Sequence, residues 1–209
     1  MKYKIKSAIM PLIAANVIFF ILQMTVKNFT ESFILVGNDV FSRPWILLTS
    51  MFLHGGVYHL LVNMYVLAMF GSILEQRIGA KRIVLLYFSS GLLASFLSSF
   101  FYARALGASG AIYGVIGALI IIMPGLQLLF FFLIPTPLWL AGIIYVMIDV
   151  FGVFFPSGTG NIAHLIGIAF GLGYGLYLKK QSIAYRRRFA SKKHLNKDEI
   201  EEYLKTGRI

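Results

Sequence analysis

The sequence predicts an all-α polytopic membrane protein: six transmembrane helices in a bundle, with a membrane-embedded insertion between helices one and two. Three observations carry this. The chain of 209 residues is 58% hydrophobic and 13% charged, with a mean hydropathy of +0.80, too apolar for a fold surrounded by water. Its apolar residues gather in runs of roughly membrane-crossing length. Its basic residues are segregated. With the N-terminus inside, only Lys27, Arg43 and Arg104 of the 19 lysines and arginines fall in outer connections, the bias expected of a multi-pass protein. The net charge of +11 is thereby a matter of topology, and no nucleic-acid partner is needed to explain it. The absence of cysteine excludes disulfides, thiolate metal sites and a thiol nucleophile. No residue pattern calls for a metal or other cofactor.

The first run, residues 8–26, follows Lys2, Lys4 and Lys6. It is longer than the apolar core of a secretory leader and lacks a small-x-small cleavage site before Lys27, so it reads as a retained span. Residues 27–56 are rich in aromatic and aliphatic side chains (Phe29, Phe33, Phe41, Trp45, Phe52) but interrupted by Asn38, Asp39 and Pro44. That mixture predicts a folded insertion lying in one leaflet. The remaining spans are expected at 57–74, 83–101, 109–123, 138–155 and 161–179. The stretch 126–134, LQLLFFFLI, is too short to cross and is expected at the interface. The membrane domain thus covers 1–179. The tail, 180–209, is basic and cytoplasmic; Asn196 and Glu199 resemble a helix cap, with Ile200, Tyr203 and Leu204 on one apolar face. It reads as a solvated anchor, with anionic lipid as the surface it would touch.

Direction then organises the polar residues. Spans two, four and six run from outside to inside, so their N-terminal ends share the outer half of the bilayer. Those ends carry His59 and Asn63 (just after His54), Ser109, and Asn161 with His164. Ionisable groups within a membrane are costly and point to function. Span four is also short. At about 1.5 Å per residue it covers roughly 22 Å of a hydrocarbon core about 30 Å thick. Ser109 is therefore expected below the outer surface, and the irregular backbone at Gly107 and Ala108 must be buried in protein or line a wet cavity.

Gly110, Gly114 and Gly117, with Ala111 and Ala118, give span four a face nearly free of side chains, and Gly167 and Gly171 form a matching GxxxG in span six. Such faces let helices approach closely, which would bring Ser109 to His164. The plainer reading, glycines for packing and the serine as a helix cap, accounts for each feature singly but not for the histidine at the same depth. A serine needs a base to become a nucleophile, and histidine suits that role. Backbone N–H groups at the start of span four, with His59 and Asn63 one turn apart on span two, could hold an oxyanion. No third acid is evident. Glu31 and Asp39 lie in the insertion and Glu75 lies at the inner end of span two. Asp149 lies near the outer end of span five with nothing tying it to His164, so it reads as a structural residue and the site as a dyad. The soluble-hydrolase pattern GxSxG is absent, because Ala111 stands in place of its last glycine.

Across residues 8–179 the chain resembles the rhomboid family of intramembrane serine proteases. The resemblance rests on GASG (Gly107 to Gly110) with Tyr113 one turn on, AHLIGIAFG (Ala163 to Gly171), HGGVYHLLVN (His54 to Asn63) and EQR (Glu75 to Arg77). It implies a compact six-helix form and a serine endopeptidase. Ser109 would be the nucleophile and His164 the general base, with Tyr113 stacked on the imidazole. His59, Asn63 and the Ser109 N–H would form the oxyanion hole. His54 would organise the insertion, and Glu75 and Arg77 would brace the inner side. Substrates would be membrane proteins entering laterally from the lipid bilayer, gated by span five and residues 126–137, with a small residue before the cut. The resemblance places the enzyme in the cell membrane with its site opening outward, and leaves its oligomeric state open. One departure stands out: the family's Trp-Arg pair in the insertion is absent, since Ile46 follows Trp45 and the arginine is Arg43. A catalytically silent, client-binding relative would lack the serine or histidine. A proton transporter would string ionisable groups across the membrane instead of clustering them at one level.

Overall fold

The structure is a computed structural model, and it describes residues 7–130, 134–155 and 158–190. The expected tail helix near Asn196 lies outside the described residues. The chain divides into two compact units, Met1–Leu176 and Tyr177–Ile209.

The architecture is an all-α bundle. Its apolar helices are α1 (Ile9–Thr25), α4 (Val57–Val66) running through a π-turn (Leu67–Gly71) into α5 (Ser72–Ile78), α6 (Ala80–Ser98), α7 (Ser109–Ile122), α8 (Leu138–Phe154) and α9 (Asn161–Ala190). Three helical segments are long and apolar enough to cross a membrane: Val57–Ile78, Ala80–Ser98 and Asn161–Ile183; α1, α7 and α8 are apolar but shorter. Large apolar side chains such as Met24, Phe101 and Phe154 stand 68–75% exposed, as they must where the surrounding solvent is lipid.

Helix ends follow local chemistry. Ile122 closes α7 because Met123, with φ −132° and ψ 63°, precedes Pro124, whose ring disfavours the helical region one residue upstream. The second span runs four residues past its expected end and the third begins three residues earlier than expected. Between them Gly79, at φ +82°, makes the reversal in a single residue that a side chain would strain.

The insertion is a small folded unit made of α2 (Phe29–Phe33), β1 (Leu35–Val36) and α3 (Ile46–Thr49), with short 3₁₀ turns at Gly37–Asp39 and Ser50–Phe52. Leu35, Val40 and Ile46 form its core. β1 pairs antiparallel with β2 (Arg104–Ala105), Leu35 opposite Ala105, which fastens the insertion to the strand that leads into α7. Glu31 and Arg104 add an ion pair at 2.5 Å across the same seam. Arg43 holds Asp39 at 2.5 Å within the insertion and donates to the Glu31 carbonyl at 3.3 Å.

Of residues 126–134, expected only to lie at the interface, Gln127–Phe130 and Ile134 fall in a pair of antiparallel strands that form a hairpin. Its strands are β3 (Gln127–Phe130) and β4 (Ile134–Pro137), with Gln127 opposite Pro137. Strand pairing satisfies backbone groups that lipid cannot. The Leu138 N–H donates to the Leu126 carbonyl at 2.7 Å, so the hairpin delivers the chain directly into α8.

α7 sits at the centre. The sequence pairs its glycine face with α9, and the structure divides that face between two neighbours. A Cβ on Gly110 would stand 2.8 Å from Ala94 Cβ on α6, and one on Gly114 would collide with Ser90 of the same helix. All three also border α9: a Cβ on Gly117 would collide with the Ile168 carbonyl, and those on Gly110 and Gly114 would lie 3.5 and 3.4 Å from the carbonyls of Ala163 and Gly167. From the other side, Gly167 and Gly171 of α9 press on the carbonyls of Gly110 and Gly114. Any side chain at these two positions would separate the helices. At the far end of the bundle Glu75 accepts hydrogen bonds from the Ser7 hydroxyl and the Ala8 N–H, both at 2.5 Å, capping the start of α1. Arg77, expected beside it as a brace, is exposed and forms no ion pair among the described residues.

Candidate active site

Ser109 opens α7 and His164 lies in the first turn of α9. The close approach of the two helices brings Ser109 Oγ to 2.8 Å from His164 Nε2. The imidazole stacks on Tyr113, with ring centroids 4.2 Å apart and planes 10° off parallel, so its orientation is fixed by a residue one turn along from Ser109. Tyr102 fixes the helix that carries it: its hydroxyl accepts the Ile162 N–H at 3.0 Å, one of the donors that a helix start leaves unpaired.

The sequence left Asp149 untied, and the structure corrects that reading. Asp149 Oδ1 lies 2.9 Å from His164 Nδ1, and both residues are buried. A carboxylate can only accept, so Nδ1 carries the proton and Nε2 presents its lone pair to the serine. Half-buried Ser109 and buried His164 and Asp149 are therefore joined by two successive contacts, from α7, α9 and α8.

The opposite wall comes from α4. The Gly55 N–H donates to His59 Nδ1 at 3.2 Å, which makes Nε2 the ring's remaining donor. That edge reaches Gly107, where a Cβ would stand 2.9 Å from His59 Cε1. Gly107 also holds φ +128°, a conformation that side chains resist, and its N–H is pinned to the Ser50 carbonyl at 2.9 Å. Asn63 spends one amide N–H on the His59 carbonyl at 2.8 Å and keeps a second. With the unpaired N–H groups at the start of α7, these donors border one cavity of about 740 Å³ that also touches Ser109, His164, Gly142 and Tyr145. An imidazole in contact with a hydroxyl, beside a cavity ringed with N–H donors, can pass a proton and stabilise a developing oxyanion.

His54 is buried edge-on against His59, with ring centroids 5.0 Å apart. Burial, with His59 alongside, pushes it down to about 4. Its backbone is gripped on both sides by Gln23 of α1, which accepts the His54 N–H at 2.9 Å and donates to its carbonyl at 3.2 Å. Gln23 and Tyr102 are contributors that sequence reasoning missed. Gln23 reads as the frayed end of an apolar run, although a lone amide at that depth is itself a signal.

A family profile described as Rhomboid domain matches residues 42–181. Rhomboid protein 1, mitochondrial, of Saccharomyces cerevisiae is 31% identical over 88% of this chain and 56% of its own length. Rhomboid-like protease 2 of Toxoplasma gondii is 30% identical over 66% of this chain and 49% of its own. RHOMBOID-like protein 6, mitochondrial, of Arabidopsis thaliana is 43% identical over 40% of this chain and 27% of its own. The chain thus spans about half or less of the length of these relatives. Two of them are named as mitochondrial, so the expectation of a plasma membrane gains no support from them. Another Arabidopsis relative, 36% identical over 36% of this chain and 22% of its own length, is named Inactive RHOMBOID-like protein 8. The profile match, together with an apolar helical bundle that brings the serine and histidine motifs into contact, makes this chain an integral membrane protein of the rhomboid family.

Proposed function

We propose that the protein is an intramembrane serine endopeptidase that hydrolyses a peptide bond in or near a transmembrane segment of a membrane-protein substrate. The observation that carries this is the 2.8 Å contact between Ser109 Oγ and His164 Nε2 at the wall of a cavity inside an apolar bundle. Ser109 Oγ bonds to the scissile carbonyl carbon as its proton passes to His164 Nε2. The carbonyl electrons move onto oxygen, and the resulting oxyanion accepts hydrogen bonds from His59 Nε2–H, the second N–H of Asn63 and the Ser109 N–H. Collapse breaks the C–N bond, and the proton on Nε2 goes to the departing amine. Water then bonds to the acyl carbon while His164 takes its proton, and the Ser109 oxygen leaves and recovers that proton from Nε2.

The substrate must unwind before its carbonyl can reach Ser109. Segments with glycine, proline or other weak helix formers near the boundary are therefore preferred. The segregation of lysine and arginine turns the site toward the side opposite the basic loops, whichever membrane houses the protein.

The test is cleavage of single-span test substrates, Gly/Ala-rich at the outer boundary, by the purified full chain in lipid vesicles. Ser109→Ala and His164→Ala run alongside. Wild type cuts, and each variant loses more than about 10³-fold in kcat, as removal of a nucleophile or its base does. Failure of wild type across several such substrates would sink the protease reading in favour of a silent client-binding protein.

A further inference from the structure

We infer that Asp149 is a positioning residue for His164, and that the catalytic set is a triad completed by α8. This rests on the hydrolysis proposed above. Asp149 is the one charged residue in the 17-residue helix α8 and is 3% exposed. A carboxylate is costly in so apolar a setting without a partner. Among the described residues its ion-pair partner is His164, through Nδ1 at 2.9 Å.

The helix is built to make that contact. Gly152, three residues on, has no side chain where Asn161 at the start of α9 presses in; a Cβ there would collide with the Asn161 amide. Gly142, seven residues before Asp149, meets Ile120 of α7 with equally little room, 2.5 Å from a Cβ to Cδ1. These positions are i−7 and i+3 from the aspartate and share its helix face. Two glycines therefore seat α8 against both helices that hold the other two members of the set, with the aspartate between them.

The consequence for the chemistry is specific. Asp149 holds the proton on Nδ1, which keeps the Nε2 lone pair facing the serine. When Nε2 gains the serine proton, the resulting imidazolium lies against a fixed negative charge; the Nδ1 proton stays on the ring and no proton moves to Asp149. Ser109 and His164 belong to α7 and α9, and Asp149 to α8. An outward shift of α8 by about 1 Å would take the Nδ1 contact beyond hydrogen-bonding distance, so the site is complete only with α8 seated.

Asp149→Asn decides the matter, because asparagine keeps the shape and the capacity to pair. Its amide can donate to Nδ1, however, and so favours the wrong tautomer. In the full chain in lipid, kcat falls by about 10²-fold or more while KM stays within about threefold, as expected of an orienting carboxylate, and the thermal transition is retained. Activity within about threefold of wild type overturns the inference and leaves the proposed hydrolysis standing. If the variant does not fold, the wild-type protein still answers. With ¹⁵N-labelled histidine, a far-downfield ring proton on Nδ1 that disappears in His164→Ala is expected, and an unprotonated Nδ1 in wild type overturns the inference. That readout needs no substrate, so it is separate from any failure of wild type to cut.

Discussion

The backbone N–H of Gly55 donates to His59 Nδ1 at 3.2 Å, so a loop residue sets the tautomer of a histidine on the next helix. The donor left over is Nε2, and it points to the edge of the cavity that Gly107 leaves open. His59→Ala should therefore lower kcat by about 10–10³-fold with little change in KM, the signature of a donor used mainly in the transition state. Steady-state kinetics on one unwound test substrate would check it. A rise in KM alone would place His59 in ground-state binding instead.

Gly171→Val tests the helix approach that brings the base to the nucleophile. A Cβ there collides with the Gly114 carbonyl and stands 2.7 Å from its carbon. Backbone cannot yield as a side-chain tip can, so the expected cost is about 1–3 kcal/mol or more, accompanied by loss of cleavage as α9 moves off α7. Thermal unfolding in detergent and activity should fall together. A stable, active variant would mean that the helices tolerate separation.

Glu75→Gln weakens the cap on α1 far from the cavity. The carboxylate receives the Ser7 hydroxyl and the Ala8 N–H at a helix start, where negative charge is favourable. The expected loss is about 1 kcal/mol, seen as a lower thermal transition with cleavage per folded molecule unchanged.

His54 supplies a pH dependence. Its folded value of about 4 lies below the ordinary histidine value near 6.5. Between those two values the unfolded chain binds a proton that the folded one refuses. The stability that depends on a neutral His54 is thus present above about pH 6.5 and is lost as pH falls toward 4. His54→Phe should flatten the decline in thermal transition temperature across that window. An unchanged slope would assign the decline to other groups.

Much of the site was legible because lipid makes polar residues conspicuous. Ser109, His59, Asn63 and His164 stand out in apolar runs, and counting spans put them at one level before any packing was known. Asp149 was equally conspicuous but could not be assigned a partner. Depth follows from position along a helix, whereas partnership depends on how α8 is rotated and how closely it packs. The spacing of Gly142, Asp149 and Gly152 on one face is the trace of that packing in the sequence. The hairpin escaped because LQLLFFFLI has no period-two alternation to mark a strand; pairing there follows from backbone groups that lipid cannot satisfy. Tyr102 and Gln23 act on backbone atoms of distant segments, 60 and 31 residues away, partners that no local pattern foreshadows even where, as with Gln23, the polar residue itself is conspicuous.

Ser109 and His164 are 55 residues apart, and the aspartate rides on the helix between them. During synthesis the nucleophile enters the membrane first, the carboxylate next and the base last. A chain paused after α7 carries a serine hydroxyl with nothing to take its proton. On the proposed hydrolysis, such a chain is inert toward its neighbours in the crowded zone of insertion, and cutting power arrives only when α9 docks on α7.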